Sequence, residues 1–318
     1  MTSRLERNDV SVVVPLYNGR HLVPDCLRSI PSGVEVIVCD DGSTDGAPEL
    51  VEESFPNVRL LRGERNVGFG ANANRGLRAA TGRVRVVLNT DARFHDGALE
   101  ALVAAFDDDA VGIAGPRLVF ADGSHQTSAA SFPTVASTFT GSFLLNDLWR
   151  AVVRRPFRWE LGMARADHDH SHDVEWVKGA CIAVRDRCVE DTGGFDEGYF
   201  MYAEEADLCL RASRAGWRVR YVADATVTHL GGGSTGDPTV HAVRFLDSEA
   251  RFFERAYGAA VLPRWRAART IGSALKVVLL APPAPFSRRA RARWRWHRAA
   301  LGRLARARRP PPTPTRPG

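Results

Sequence analysis

The sequence contains no C-x-x-C pair, no membrane-length apolar run, and no acidic residue anywhere in 261–318. Its five cysteines, Cys26, Cys39, Cys181, Cys188 and Cys209, are odd in number and irregularly spaced. That argues against a disulfide framework or a spaced zinc site, and reduced, buried thiols are the expectation. The longest candidate for a membrane helix, 271–286, carries Lys276 and three prolines, so it does not read as a span. Residues 1–9 have no apolar core of the signal-peptide kind, so the expected location is cytoplasmic. Gly68-Phe69-Gly70 is not a dinucleotide fingerprint, because Ala73 stands where the third glycine belongs. No Ser-His-Asp or Cys-His set stands out, so no covalent nucleophile is expected. The alternating tract from His168 to Asp173 reads as solvated loop rather than as a metal site.

What is present is a chain of 318 residues, 44% apolar and 25% charged, the make-up of a soluble globular protein with room for one large α/β domain or two small ones. Its net charge of +6 hides a division. Residues 261–318 hold fourteen Arg and one Lys, a charge of +15, so residues 1–260 carry −9. The two parts should have different partners.

Short β-branched runs at 10–15, 34–39, 58–61, 84–88 and 111–114 predict strands. Helical stretches are expected at 21–30, from about Gly70 to Ala80, and at 97–106. Further on, 195–200 reads as a turn, 205–215 as a helix, 218–222 as a strand and 243–257 as a packing helix. Strands alternating with helices predict a Rossmann-like, mostly parallel sheet with helices on both faces. The expected division is a catalytic domain over 1–260, a basic amphipathic extension over 261–309, and a disordered proline-rich tail over 310–318.

Ligands of such sheets sit beyond the carboxyl ends of the strands, and Asp40, Asp41 and Asp91 all fall there. Asp40-Asp41-Gly42-Ser43 fits an Asx-type turn as well as a base-binding carboxylate. Asp91 fits a helix cap as well as a ligand for Mg2+ or Mn2+, which take a few protein oxygens plus phosphate oxygens. Glu204, Glu205 and Asp207 would suit a helix N-terminus through its dipole. Three carboxylates in four residues also repel, which raises at least one pKa toward that of a general base. His229 follows a β-rich run and precedes three glycines that leave room for an anion near the backbone. As a lone histidine it also fits a satisfied core residue.

Four segments occur in order: VSVVVPLYNG; VCDDGSTDG; RNVGFGANANRG with VLNTDA; and WVKGACIAVR through GGFDEGYFMYAEEADLCLR to VTHLGGGS. In this combination the chain resembles the family 2 glycosyltransferases of the GT-A fold, in their bacterial rhamnosyltransferase-like branch, over residues 10–258. The resemblance implies an inverting transfer from a nucleotide-diphosphate sugar, with dTDP-L-rhamnose as the donor, to a glycan or lipid-linked acceptor. It implies a donor side made by Pro15, Tyr17, Asp41, Asn66 and Gly68, and a metal held by Asp91 and His229. It makes Glu205 the catalytic base, with Asp40, Glu204 and Asp207 as supporting acids. The chain departs from the family pattern at Asn89 and Thr90, where many members have the first Asp of the metal motif and, in the rhamnosyl branch, Pro.

The stretch 288–309 sets Trp294, Trp296, Leu301 and Leu304 among arginines. As a helix it would lie on an anionic membrane surface, peripheral to the inner face of the plasma membrane. A solvated basic helix is the plainer alternative, and the acidic first 260 residues give no support to specific nucleic-acid binding. Two other functions stay open. A sugar nucleotidyltransferase would begin with a glycine-rich basic loop, which VPLYNGRH is not. A non-catalytic sugar-nucleotide-binding or scaffold protein would have no need of Glu205, Asp91 and His229.

Overall fold

A computed structural model describes residues 5–142, 168–231, 237–281 and 287–306. The expected disordered tail, 310–318, lies outside the described residues, as do Gly232 and Gly233. The chain packs as two compact units. The first spans Met1–Ala130, Ala166–Phe200 and Glu204–Gly233; the second spans Ser131–Arg165, Met201–Ala203 and Ser234–Gly318.

The first unit opens with β1 (Val10–Leu16), α1 (Val23–Arg28), β2 (Glu35–Asp40), α2 (Ala47–Ser54), β3 (Arg59–Leu61), α3 (Phe69–Ala79) and β4 (Val84–Leu88). β5 (Ala92–Phe94), α4 (Ala98–Ala104), β6 (Val111–Val119), β7 (His125–Gln126) and β8 (Ala129–Ala130) follow. In the second unit the chain forms α5 (Val135–Ser142). Back in the first unit come β9 (His172–Val174), β10 (Trp176–Val177), β11 (Cys181–Arg185), α6 (Asp186–Thr192), α7 (Glu204–Arg214) and β12 (Arg218–His229). The second unit ends with α8 (Pro238–Tyr257), α9 (Leu262–Leu280) and α10 (Arg288–Arg306).

The main sheet runs β3-β2-β1-β4-β11-β6-β12-β5. Strands β3, β2, β1 and β4 are parallel, as are β6 and β12. β1 is buried along its length except at Pro15, which is why it reads as an unbroken apolar run rather than an alternating one. Val12, Val14, Leu16, Val86 and Leu88 are fully buried in one core cluster with Leu99 and Leu102 of α4. Each such side chain contributes roughly 1.5–3 kcal/mol by leaving water. α3 lies close against β1: a Cβ on Gly76 would come within 2.2 Å of Val13 Cγ1, so only glycine fits.

Antiparallel pairings are the departure from the expected alternation. β11 runs antiparallel between β4 and β6. β5 pairs antiparallel with β12 and β7 with β6. β5 begins directly after Asp91, and α4 starts only at Ala98, so Asp91 ends a strand without capping a helix. The His168–Asp173 tract is not a solvated loop throughout: its end forms β9 against β12, and His168 and His172 pack on Tyr221. The five cysteines are all free and buried, as expected.

In the second unit, α8, α9 and α10 pack on one another. Trp296 Nε1–H donates to His241 Nδ1 at 2.8 Å, and Arg303 pairs with Asp247 at 2.6 Å. Ala300 and Leu304 are buried in the same interface. Glu249, 6% exposed, accepts from Arg269 Nε at 2.6 Å. No helix among the described residues is long and apolar enough to cross a membrane.

Candidate active site

The ends of β1, β2 and β4 lie side by side, because β1 pairs with both of its neighbours in parallel. Asp41 N–H donates to Leu16 O at 2.9 Å and ties the first two ends together. Asp40 and Asp41 are both 3% exposed. Asp40 accepts from Gly42 N–H and Ser43 N–H, each at 3.1 Å, which is the Asx-type turn. Asp41 reaches the next loop instead: its Oδ1 accepts from Val67 N–H at 2.9 Å and its Oδ2 from Gly68 N–H at 3.1 Å. Burial pushes the Asp41 carboxyl up, against the two amides that favour its charged form.

Asn66 Oδ1 also accepts from Gly68 N–H, at 3.0 Å. Gly68 has φ of +97°, and a Cβ there would meet Phe200 O at 2.5 Å. Phe69 N–H then donates to that same carbonyl at 3.0 Å. A glycine is therefore needed to close the Asn66–Gly68 loop onto the turn before α7. Pro15 sits at the β1 end, and Tyr17 just beyond it is 50% exposed, a ring open to a ligand.

At the end of β4, Asn89 N–H donates to Ala180 O at 2.9 Å, which fixes this end beside the start of β11. Asn89 Oδ1 is buried with no hydrogen-bond partner. Asp91 Oδ1 lies 3.4 Å from His229 Nε2, and Leu230 N–H donates to Asp91 O at 2.9 Å. His229 Nδ1 lies 2.8 Å from Gln126 Oε1. With a carbonyl oxygen as partner, Nδ1 carries the proton and the Nε2 lone pair faces the Asp91 carboxylate. A carboxylate oxygen and an imidazole nitrogen at this separation are bridged by a proton or by a cation bound to both. Ligands bonded at about 2.1 Å to one ion sit about 3 Å apart, close to what is found. Among the described residues no group of three His, Cys, Asp or Glu side chains converges at Asp91 and His229.

Glu204 and Glu205 open α7. Glu204 is 5% exposed; Glu205 is less buried as a residue, but the Oε2 atoms of both are shielded from solvent with no partner. Burial drives both carboxyls up, and the charge of Glu205 adds to the effect at Glu204. At Glu205 the Gly179 amide donates to the carboxylate and Lys178 lies near, and both favour its charged form. Gly179 precedes Ala180, so β11 joins the surroundings of Glu205 to the end of β4. Asp207 turns elsewhere. It is fully buried, takes Arg211 Nε at 2.6 Å and Tyr199 Oη at 3.3 Å, and braces the helix instead of adding to the repulsion.

Three contributors were not anticipated. The Gly179 amide carries no side-chain signal. Gln126 is a single polar residue in a two-residue strand. Lys178 had a signal: the sequence uses arginine almost everywhere and has only two lysines, Lys178 and Lys276.

The sequence profile described as Glycosyl transferase family 2 matches residues 11–176. An N-acetylglucosaminyl-diphospho-decaprenol L-rhamnosyltransferase of Mycobacterium tuberculosis is 35% identical over 222 residues, covering 65% of this chain and 70% of the relative. A pre-mycofactocin glycosyltransferase of the same organism is 30% identical over 226 residues, 70% of this chain and 42% of the relative. Among solved structures, a mannosyltransferase of Pyrobaculum calidifontis in complex with GDP-Man and Mn2+ superposes with a TM-score of 0.54 at 18% identity, over 93% of this chain and 86% of that one. GalNAc-T7 with UDP, GalNAc and Mn2+ gives 0.57 at 18% identity, over 81% and 51%. The structural likenesses speak to the GT-A fold alone, and the sequence matches speak to descent. The chain belongs to glycosyl transferase family 2.

Proposed function

We propose that this glycosyltransferase is an inverting, divalent-metal-dependent enzyme that moves L-rhamnose from dTDP-L-rhamnose to a hydroxyl of a lipid-linked N-acetylglucosaminyl diphosphate. The observation that carries the chemistry is the pairing of Asp91 with His229 at 3.4 Å on one strand end, with Glu205 joined to the same end through Gly179 and Ala180. The sugar and the acceptor class follow the name of the 35% identical relative, and the dTDP nucleotide follows the family resemblance of the sequence. Asp91 and His229 fit Mg2+ or Mn2+: a hard carboxylate oxygen and an imidazole nitrogen, with the remaining positions left to diphosphate oxygens and water. When bound, such an ion supplies charge neutralisation for the departing diphosphate.

The chain's own residues do the rest. Tyr17 offers its exposed ring to the donor base, and Pro15, Asp41, Asn66 and Gly68 shape the loop beneath it. Asp40 and Glu204 support this arrangement as structural acids. Glu205 takes the proton of the acceptor hydroxyl as that oxygen bonds to the anomeric carbon. The bond from that carbon to the diphosphate breaks on the opposite face, the electron pair leaves with dTDP, and the configuration inverts. The test is transfer by the full chain from a panel of nucleotide sugars to a prenyl-diphospho-N-acetylglucosamine. A rhamnosylated product that needs Mg2+ or Mn2+ is expected; transfer of another sugar while dTDP-L-rhamnose stays inert overturns the donor.

A lipid-linked acceptor is supported by the second unit's surface. Trp296 and Leu304 pack on protein, so the aromatic and apolar face of α10 is not what would meet lipid. Arg288, Arg291, Arg293, Arg295, Arg298 and Arg306 are exposed. On α9, Ile271 is 46% exposed, Val278 70% and Leu279 46%. Guanidinium groups for anionic headgroups and aliphatic side chains for the acyl boundary are what a bilayer surface binds. These features support a peripheral position on the inner face of the plasma membrane. Substituting Arg291, Arg293, Arg295 and Arg306 together by Gln should weaken binding to phosphatidylglycerol vesicles by at least about a hundredfold, at about 1 kcal/mol per basic group. Binding of the intact chain should fall with salt. Activity on a soluble acceptor should persist. Equal vesicle binding by the two proteins removes the membrane partner.

A further inference from the structure

The β6–β7 hairpin delivers one side chain to the metal-side pair. Phe120 N–H donates to Ser124 O at 2.8 Å and Gly123 N–H to Phe120 O at 2.9 Å, closing the turn. β7 then pairs with β6 so that Gln126 stands opposite Leu118. On the other side of β6, Leu118 stands opposite Val227 of β12. Residues in one row across a sheet share a face, and so do residues two apart along a strand. Gln126 and His229 therefore point to the same face, and their side chains meet over β6, with Oε1 2.8 Å from Nδ1. Gln126 is only 8% exposed.

We infer that Gln126 is a positioning residue for the metal. Its carbonyl oxygen fixes the tautomer and ring plane of His229 so that Nε2 presents a lone pair toward Asp91. This rests on the reading above that Asp91 and His229 hold the ion. An imidazole in the opposite tautomer would put a proton on Nε2, 3.4 Å from Asp91 Oδ1. The two side chains would then satisfy each other and compete with a cation. That tautomer would also leave two acceptors, Gln126 Oε1 and Nδ1, facing each other in a buried place, at the cost of an unmade hydrogen bond. By keeping a proton on Nδ1, Gln126 makes Nε2 the nitrogen that a cation beside Asp91 can take in exchange for a proton. A histidine ligand is ordinarily oriented in this way through its second nitrogen.

The test is Mn2+ binding by the full chain in the presence of dTDP. Free Mn2+ is read by room-temperature electron paramagnetic resonance, and histidine ligation by the 14N modulation in its pulsed form. Wild type should bind and show the nitrogen coupling, and His229→Ala should lose the coupling. Gln126→Leu should weaken binding by about 10–100-fold and lose or broaden the coupling. Gln126→Glu, which keeps an acceptor oxygen, should restore both. Wild-type binding and coupling in Gln126→Leu overturns the inference. So does equal loss in the folded Leu and Glu variants, which would make Gln126 a packing residue. Should Gln126→Leu fail to fold, Gln126→Met against Gln126→Glu makes the same comparison. Absence of nitrogen coupling in wild type, or His229→Ala behaving as wild type, removes the metal reading and this inference with it.

Discussion

Glu205→Gln should lower turnover by at least about a hundredfold, the usual loss when a general base is removed, while leaving the fold and donor affinity intact. The amide is nearly isosteric and can still accept from the Gly179 amide, but it cannot take a proton. Because burial raises the Glu205 carboxyl above its ordinary value of 4.5, the acid limb of the wild-type kcat/KM profile should lie above that value. Activity is present above this limb and lost as pH falls through it. Glu204→Gln is the contrasting variant, because burial and the neighbouring Glu205 charge raise the Glu204 carboxyl without giving it a role in the transfer. A carboxyl that binds its proton more tightly in the folded chain than in the unfolded one destabilises as pH rises from the unfolded value through the folded one. Removing that group should raise Tm at neutral pH by about 2–4 °C for each kcal/mol gained, with the gain vanishing near pH 4. Turnover in Glu204→Gln should stay within a few-fold of wild type. Near-normal turnover in Glu205→Gln, with a large loss in Glu204→Gln, would move the base to Glu204.

Asp91→Asn should weaken Mn2+-dependent binding of dTDP by more than the about 10–100-fold that loss of an outer-shell partner costs. The substitution keeps the shape and removes the one negative charge the pair offers. The backbone tie from Leu230 N–H to Asp91 O does not involve the side chain, so the strand end should hold its form. His229→Ala should weaken binding less, since an imidazole contributes a neutral nitrogen where the carboxylate contributes charge. Calorimetry with dTDP in the presence and absence of Mn2+ measures both. Unchanged affinity in Asp91→Asn would take Asp91 out of the metal site. Asn89, beside it, supplies no second carboxylate, and so the loss of Asp91 has no nearby substitute.

Much of this was written in the sequence. VSVVV and VRVVL read as buried strands, because each sets four β-branched or apolar side chains within five residues, broken by Ser11 and by Arg85, with no helical stripe. Runs of that kind, each closed by Asp or Asn, give the acids at the strand ends before any coordinate is known. The start of α7 at Glu204 follows from three carboxylates gathered where a helix presents free amides.

The rest depended on partners far apart in the chain. CIAVR is as apolar as the other strands, and nothing in it says that it runs antiparallel between β4 and β6; strand direction is set by pairing. Three acids at the start of α7 carry no mark of which is the base, but tertiary packing hands Asp207 to Arg211 and leaves Glu204 and Glu205 buried with unpartnered oxygens. The tail shows the same limit. Its amphipathic pattern left a membrane surface and a solvated helix both open, and the fold decided that α8 and α9 cover the face of Trp296 and Leu304, leaving Arg288, Arg291, Arg293, Arg295, Arg298 and Arg306 exposed. Periodicity records which face of an element leaves water. Which surface receives that face is decided by shape and by hydrogen bonds such as that between Gln126 and His229, 103 residues apart.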